Sequence, residues 1–154
     1  MFEKSEKVMQ QLTKGAFLCS GENIMVIGWG FLGYMWKKEV FIAPIRKSRY
    51  TFDILNQTKS FTVSVPKEGE FEEEIKFCGS KSGREVDKWE SLDLRKIPAN
   101  HVDSYIVGGC EKYYECKVVA VIPMTKDMLG AKEQKFYEKD DNLHYLFVGE
   151  IVND

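Results

Sequence analysis

Ile24-Met25-Val26-Ile27-Gly28-Trp29-Gly30-Phe31-Leu32-Gly33-Tyr34-Met35-Trp36-Lys37-Lys38-Glu39-Val40-Phe41-Ile42-Ala43-Pro44-Ile45 is the stretch whose reading decides the fold. Gly28 to Gly33 matches G-x-G-x-x-G, and Asp53 lies where a ribose-binding acid would be sought. A dinucleotide site of that kind needs a helix to begin inside the motif, so that its N-terminus meets the pyrophosphate. Here Tyr34–Lys38 leaves barely a turn before the β-branched and aromatic run Val40–Ile45. Two strands close together leave no room for a helical crossover, so the pairing is antiparallel. Pro44 marks an edge or a bulge. Trp29, Phe31, Tyr34 and Trp36 alternate with the glycines, giving flat apolar surface beside open amides. That suits a planar heteroaromatic ring, and it equally suits an aromatic core strand with bulges.

The same pattern extends in both directions. Before it, Lys4–Leu12 reads as an amphipathic helix with Val8, Met9 and Leu12 on one face, ended by Gly15, and Ala16–Cys19 as a short strand. After it, Arg49–Thr58 and Glu70–Cys78 carry helical spacing. Between them Phe61, Val63 and Val65 alternate with Thr62 and Ser64, the period of a half-buried strand. Tyr105–Val107, Tyr113–Ile122 and Leu143–Val152 are further strands, and Pro123–Asn142 is long, charged and irregular, a surface excursion or a lid with the excursion as the default reading. Six or seven strands with two or three short helices predict a mainly β domain. It would be a closed or half-open antiparallel barrel with peripheral helices, over residues 1–154 as one unit.

Composition narrows the function classes. With 44% hydrophobic residues the chain can bury a core, about 70% of its unfolded surface at this size. A formal charge of −2 gives no bulk drive toward nucleic acid or anionic membrane, so any basic site is local. The charged start, Met1 to Lys7, carries no apolar leader, and no apolar run approaches a membrane span. A cytoplasmic location is expected. Four cysteines lack Cys-x-x-Cys spacing, and with only His101 and His144 no metal-ligand cluster follows.

Two segments carry binding chemistry. Cys78-Gly79-Ser80-Lys81-Ser82-Gly83-Arg84 brings hydroxyls, a lysine and an arginine between glycines. Lysine offers a point charge and arginine a planar fork suited to phosphate oxygens. Arg46-Lys47-Ser48-Arg49-Tyr50-Thr51 leads into a helix whose first amides are unpaired, with Ser48 as its cap, and an anion fits there. Taken singly, each is a polar turn or a capped helix. Together with the glycine-aromatic strand they describe a site for one phosphate and one planar ring.

The order Asn23-x-Met25, Ile27-Gly28-Trp29-Gly30, Tyr34-x-Trp36, Arg46-x-Ser48-Arg49-Tyr50-Thr51, Cys78-Gly79-Ser80-x-Ser82-Gly83-Arg84-x-Val86-Asp87-Lys88 and Phe147-Val148-Gly149-Glu150-Ile151-Val152 resembles the flavin reductase-like, FMN-binding split-barrel family that includes flavoredoxins. The resemblance runs from about Gly15 to the end. It implies a six-stranded split β-barrel forming a homodimer, with FMN near the interface. Asn23, Met25, Gly28, Trp29 and Gly30 would lie by the isoalloxazine. Arg46, Ser48, Arg49, Tyr50 and Thr51 would serve the phosphate and ribityl side, and Ser80, Lys81, Ser82, Gly83 and Arg84 would complete that grip. Val26 stands where many relatives have threonine or alanine, which removes one hydroxyl contact. No catalytic side chain is implied, because the cofactor carries the chemistry. Two activities follow: an oxidoreductase taking hydride from NADH or NADPH, or an electron carrier served by a redox protein partner. A nucleic-acid-binding barrel is opposed by the acidic net charge.

Overall fold

A computed structural model describes residues 4–137 and 142–153. Helix α1 (Ser5–Leu12) leads into strands β1 (Ala16–Ser20), β2 (Asn23–Ile27), β3 (Phe31–Met35) and β4 (Lys38–Arg46). Helix α2 (Tyr50–Thr58) and strand β5 (Ser60–Val65) follow, then helices α3 (Glu72–Ser80) and α4 (Lys88–Leu92). Strands β6 (Lys96–Pro98), β7 (Tyr105–Val107) and β8 (Lys112–Pro123), the short helix α5 (Ala131–Gln134) and strand β9 (His144–Ile151) complete the chain. No helix among the described residues is long and apolar enough to cross a membrane.

The main sheet is antiparallel with the order β2-β1-β5-β8-β9-β4-β3, seven strands where six were expected. The additional strand comes from the glycine-aromatic segment. It is not one bulged strand: it breaks at Gly28–Gly30, and β2 and β3 lie on opposite edges of the sheet. From Ile27 to Phe31 the chain can reach about 14 Å at full extension. The edges of a flat seven-stranded sheet would stand roughly 29 Å apart. The three-residue crossing therefore requires the sheet to curl until its edges approach, which is a split barrel. Gly30 permits the crossing at close quarters, since a Cβ there would lie 3.0 Å from the Phe41 ring.

The β3–β4 hairpin turns on Trp36 and Lys37, with φ of 53° and 60° and Met35 paired to Lys38. Two residues at positive φ make the tight turn whose twist matches the strands. β3 stops pairing at Ile42, so Pro44 faces only Leu146 of β9 and costs no ladder bond on its open side. This is the edge that the proline predicted.

Two cores result. Inside the barrel, Leu18, Phe41, Ile45, Phe61, Val63, Tyr114 and Phe147 pack together, and α1 adds Val8 and Leu12. Met9 faces solvent instead of joining that side; Gln11 is buried in its place. Outside, Phe17, Cys19, Ile24, Cys78, Trp89 and Val107 form a second cluster, with Phe71 and Ile75 of the α3 face against it. That outer layer buries Thr62 and Ser64, so β5 is covered on both faces and not half-buried. Their hydroxyls are paired: Thr62 Oγ1 donates to the Tyr105 carbonyl (2.6 Å), and the Val107 amide donates to Ser64 Oγ (3.1 Å). The β6–β7 ribbon is thereby fastened over β5.

Candidate functional site

The barrel's split edge, the start of α2 and the α3–α4 loop enclose two adjoining cavities of about 270 and 170 Å³ that share Met25 and Arg49. The larger is lined by Asn23, by Ser48, Tyr50 and Thr51 at the α2 start, and by Ser80, Lys81, Ser82, Gly83 and Arg84. The smaller is lined by Met25, Val26, Ile27, Gly28, Trp29, Pro44, Arg46 and His144. Of the residues predicted for the site, Gly30 alone lines neither cavity; it serves the crossing against Phe41. Arg46, assigned from sequence to the phosphate side, stands in the smaller cavity.

The larger cavity is held open by short polar contacts. Asn23 Nδ2 donates to Thr51 Oγ1 at 2.7 Å, joining β2 to α2. Gly83 packs onto Asn23 so closely that a Cβ would lie 1.9 Å from Oδ1. The Arg84 guanidinium lies 5.1 Å from the centre of the Tyr50 ring, bonds Asp53 at 2.8 Å and reaches the Ser48 carbonyl at 3.4 Å. Asp53, which imitated a ribose-binding acid in sequence, is thus the arginine's partner. Among the described residues Arg49, Lys81, Arg84 and Lys88 line this cavity, and no carboxylate does. Burial, and then the neighbouring Arg46, push the Arg49 pKa down.

Ser48 is not the helix cap. Arg49 occupies that position without a side-chain cap bond. Asn142 takes Ser48 instead: Ser48 N donates to Asn142 Oδ1 (3.0 Å), and Asn142 Nδ2 donates to Ser48 Oγ (2.5 Å). No side chain caps the start of α2, and its residues Arg49, Tyr50 and Thr51 line the cavity wall.

In the smaller cavity Trp29, 45% exposed, lies 4.6 Å from the His144 ring and meets Phe136 edge-on at 5.8 Å. His144 Nδ1 bonds the Tyr137 hydroxyl at 2.6 Å, and Arg46 sits 5.1 Å from the Tyr137 ring centre. Burial, then Arg46 and Arg49, push the His144 pKa down to about 4, so the imidazole is neutral at pH 7. The irregular stretch is therefore no plain excursion: Phe136, Tyr137 and Asn142 pack on the site, while residues 138–141 lie outside the described residues. Ile27, Pro44, Tyr137, His144 and Lys88 are among the lining or supporting residues not assigned to the site from sequence. His144 opens the last strand, and Lys88 ends the motif Val86-Asp87-Lys88.

Burial raises the thiols, Cys78 to about 11 and Cys110 to about 12, and Cys78 packs in the outer core. His101 lines neither cavity.

Comparison with known proteins bears on the family and the fold. The chain is 28% identical over 131 residues to an uncharacterized protein of Archaeoglobus fulgidus, covering 85% of this chain and 63% of that one. It thus spans less than two thirds of that relative's length. Flavoredoxin of Desulfovibrio vulgaris (Miyazaki F) superimposes with a TM-score of 0.72 at 24% identity, over 90% of this chain and 67% of that one. An FMN-binding protein from Thermus thermophilus gives 0.70 at 22% identity, over 90% and 67%. The model of the flavin reductase like domain matches residues 36–153, beginning after the Asn23–Gly30 part of the site. With most of its length matched, the chain belongs to the flavin reductase like domain family.

Proposed function

We propose that the protein is an FMN-binding oxidoreductase of flavin reductase type. The observation that carries this is the pair of cavities with different chemistry that share Met25 and Arg49. One has cations, hydroxyls and uncapped helix amides, which fit a phosphate monoester. The other has an apolar floor of Met25, Val26, Ile27 and Pro44 beside Trp29, which fits a planar ring. The names of the flavoredoxin and of the Thermus FMN-binding protein support the same cofactor.

Arg49, Thr51, Ser80, Ser82 and Arg84 would hold the phosphate side, with the α2 amides supplying backbone donors. Met25, Gly28, Trp29 and Arg46 would hold the ring. When bound, FMN supplies hydride acceptance at N5 and onward electron transfer. The protein's part is orientation and electrostatics: Arg46 and Arg49 place positive charge beside the ring cavity, where it offsets charge on a reduced ring. His144, neutral and held by Tyr137, adds one oriented imidazole at the same wall.

NADH or NADPH is the proposed donor; a flavoredoxin-like carrier reduced by a protein partner is the second reading, favoured by the flavoredoxin neighbour. We place the protein in the cytoplasm as a homodimer. Phe31, Tyr34 and Trp36 expose 52%, 62% and 57% of their surfaces on one edge hairpin, an apolar face that a second copy would cover.

The test is the visible spectrum of the purified protein with identification of the released cofactor. A yellow protein releasing FMN is expected; a colourless protein that does not bind added FMN refutes the proposal. Anaerobic NADH or NADPH bleaches the flavin under the enzyme reading and leaves it oxidised under the carrier reading.

A further inference from the structure

Helix α1 packs on the barrel through Val8 and Leu12. Lys7 and Gln11 lie one turn apart along its flank. That flank faces the end of β5 and the start of β8 across a further cavity of about 200 Å³, which shares no lining residue with the two cavities of the candidate site. β5 stops before Pro66, which has no N–H to continue a ladder. β8 begins opposite, with Lys112 paired to Val65 and the Glu111 amide donating to the Val65 carbonyl at 2.9 Å. Strand alternation puts Lys112 on the face of β8 that carries Tyr114 and Cys116, both buried in the barrel core. Its Nζ lies 5.6 Å from the centre of the Tyr114 ring, a cation held near an aromatic face.

Five lysines and two glutamates line this cavity, a net charge of +3 in a chain whose total is −2. Two of the lysines are matched, Lys4 by Glu111 at 3.5 Å and Lys14 by Glu68 at 3.6 Å. Among the described residues Lys7, Lys67 and Lys112 form no ion pair with a carboxylate. They come from α1, from the segment after β5 and from β8, so cations of three elements converge on one hollow. Between them the wall is apolar, made by the buried Val8, Val65 and Pro66. Cations gathered in this way raise the local potential for an anion, whatever the charge of the whole chain.

We propose that this cavity binds a small phosphomonoester with a compact apolar body, at a site separate from the flavin site and independent of the flavin reading. Lysine ammonium groups are point charges without the planar fork of arginine. Three of them, from three elements, suit a tetrahedral dianion better than a planar carboxylate. Lys112, half-buried, would hold the anion at depth, and the exposed Lys7 and Lys67 would hold it at the rim. Val8, Val65 and Pro66 would cover the apolar body. A cavity of about 200 Å³ is smaller than the ~300 Å³ at which sites for drug-sized ligands begin, which limits that body to a single ring or a short branched chain.

The experiment titrates phenyl phosphate into the full chain and follows the backbone amides by nuclear magnetic resonance. The amides of Lys7, Gln11, Lys67 and Lys112 are expected to shift together. Phenyl phosphate is expected to bind there about 10-fold more tightly than inorganic phosphate, which lacks the apolar body, and than benzoate, which carries one negative charge. The amides of Asn23, Thr51 and Gly83 report on the α2 cavity, whose cations can take the same probe. Shifts confined to those three overturn the inference and leave the flavin site standing, and shifts in neither group overturn it as well. Benzoate binding as tightly as phenyl phosphate overturns the phosphate assignment, and inorganic phosphate doing so overturns the apolar body. Lys112→Gln is expected to weaken phenyl phosphate about 10-fold at this cavity, and Lys7→Gln or Lys67→Gln about 2- to 5-fold. Unchanged affinity in all three variants overturns the site, and the wild-type titration tests it without requiring any variant to fold.

Discussion

Gly83→Ala is the most informative single change in this site. A Cβ at position 83 would stand 1.9 Å from Asn23 Oδ1 and 3.1 Å from Tyr50 Cδ2. Asn23 cannot simply swing aside, because its Nδ2 is bonded to Thr51 Oγ1 at 2.7 Å and its strand is paired along β1. The variant must therefore break that bond and displace the loop. Overpacking of this kind costs about 1–3 kcal/mol and the lost hydrogen bond about 1 kcal/mol. The expected loss of stability is about 2–4 kcal/mol, a fall in Tm of about 4–16 °C for a domain of this size. Urea denaturation of Gly83→Ala, Asn23→Ala and the double variant checks the cause. Asn23→Ala alone removes only the bond, and it also removes the atom that the new methyl strikes. The double variant should then lose about 1–2 kcal/mol less than the sum of the single changes. Additive losses, or a Gly83→Ala protein as stable as the wild type, would refute the reasoning.

Two further predictions concern other levels of the structure. His144 has its pKa lowered to about 4 in the folded chain by burial, Arg46 and Arg49, against about 6.5 unfolded. The unfolded chain then binds the proton more readily, so stability falls as pH drops from 6.5 toward 4. His144→Gln should flatten that limb of a plot of urea midpoint against pH, and an unchanged slope would exclude His144 as its source. Lys37 holds φ at 60° in the hairpin turn, so Lys37→Gly is expected to raise stability by about 0.5–1 kcal/mol in thermal unfolding; a lower Tm would mean that the lysine side chain contributes packing there.

The strands were legible because their period is local: Phe61, Val63 and Val65 face one core whatever surrounds them. What covers Thr62 and Ser64 was not legible, since the β6–β7 ribbon arrives from over forty residues away. β3 escaped for a similar reason. Gly28–Gly30 joins two strands at opposite edges, and only the curl of the whole sheet distinguishes that from one bulged strand. At the site, the basic hydroxyl segments 46–51 and 79–84 were readable because their donor chemistry clusters in sequence. Lys88 was not read as part of the site, because a lysine in a five-residue helix looks like a surface residue until Asp87 and Trp89 are seen to turn it inward. The contacts of Phe136, Tyr137 and Asn142 likewise depend on tertiary approach, not on local pattern.

The chain carries net negative charge, yet among the described residues no carboxylate stands in the wall of the larger cavity, and helix α3 shows how. Glu72, Glu73 and Glu74 occupy its first turn, and Lys81 caps its end beside the cavity. Seven to nine residues of helix separate them by about 10–13 Å, beyond the screening length of about 8 Å at physiological salt. The acids stabilise the helix where its amides are unpaired and do little at the cavity. The carbonyl end of α3, which would repel an anion, is met by Lys88 through the Cys78 carbonyl. The amide end of α2 is left without a side-chain cap at the same cavity. One helix end is neutralised and the other left open. The division of labour follows from this polarity: α2 brings the amide end of a helix to the cavity, and the Gly79–Arg84 loop, leaving from the carbonyl end of its helix, brings hydroxyl and cationic side chains.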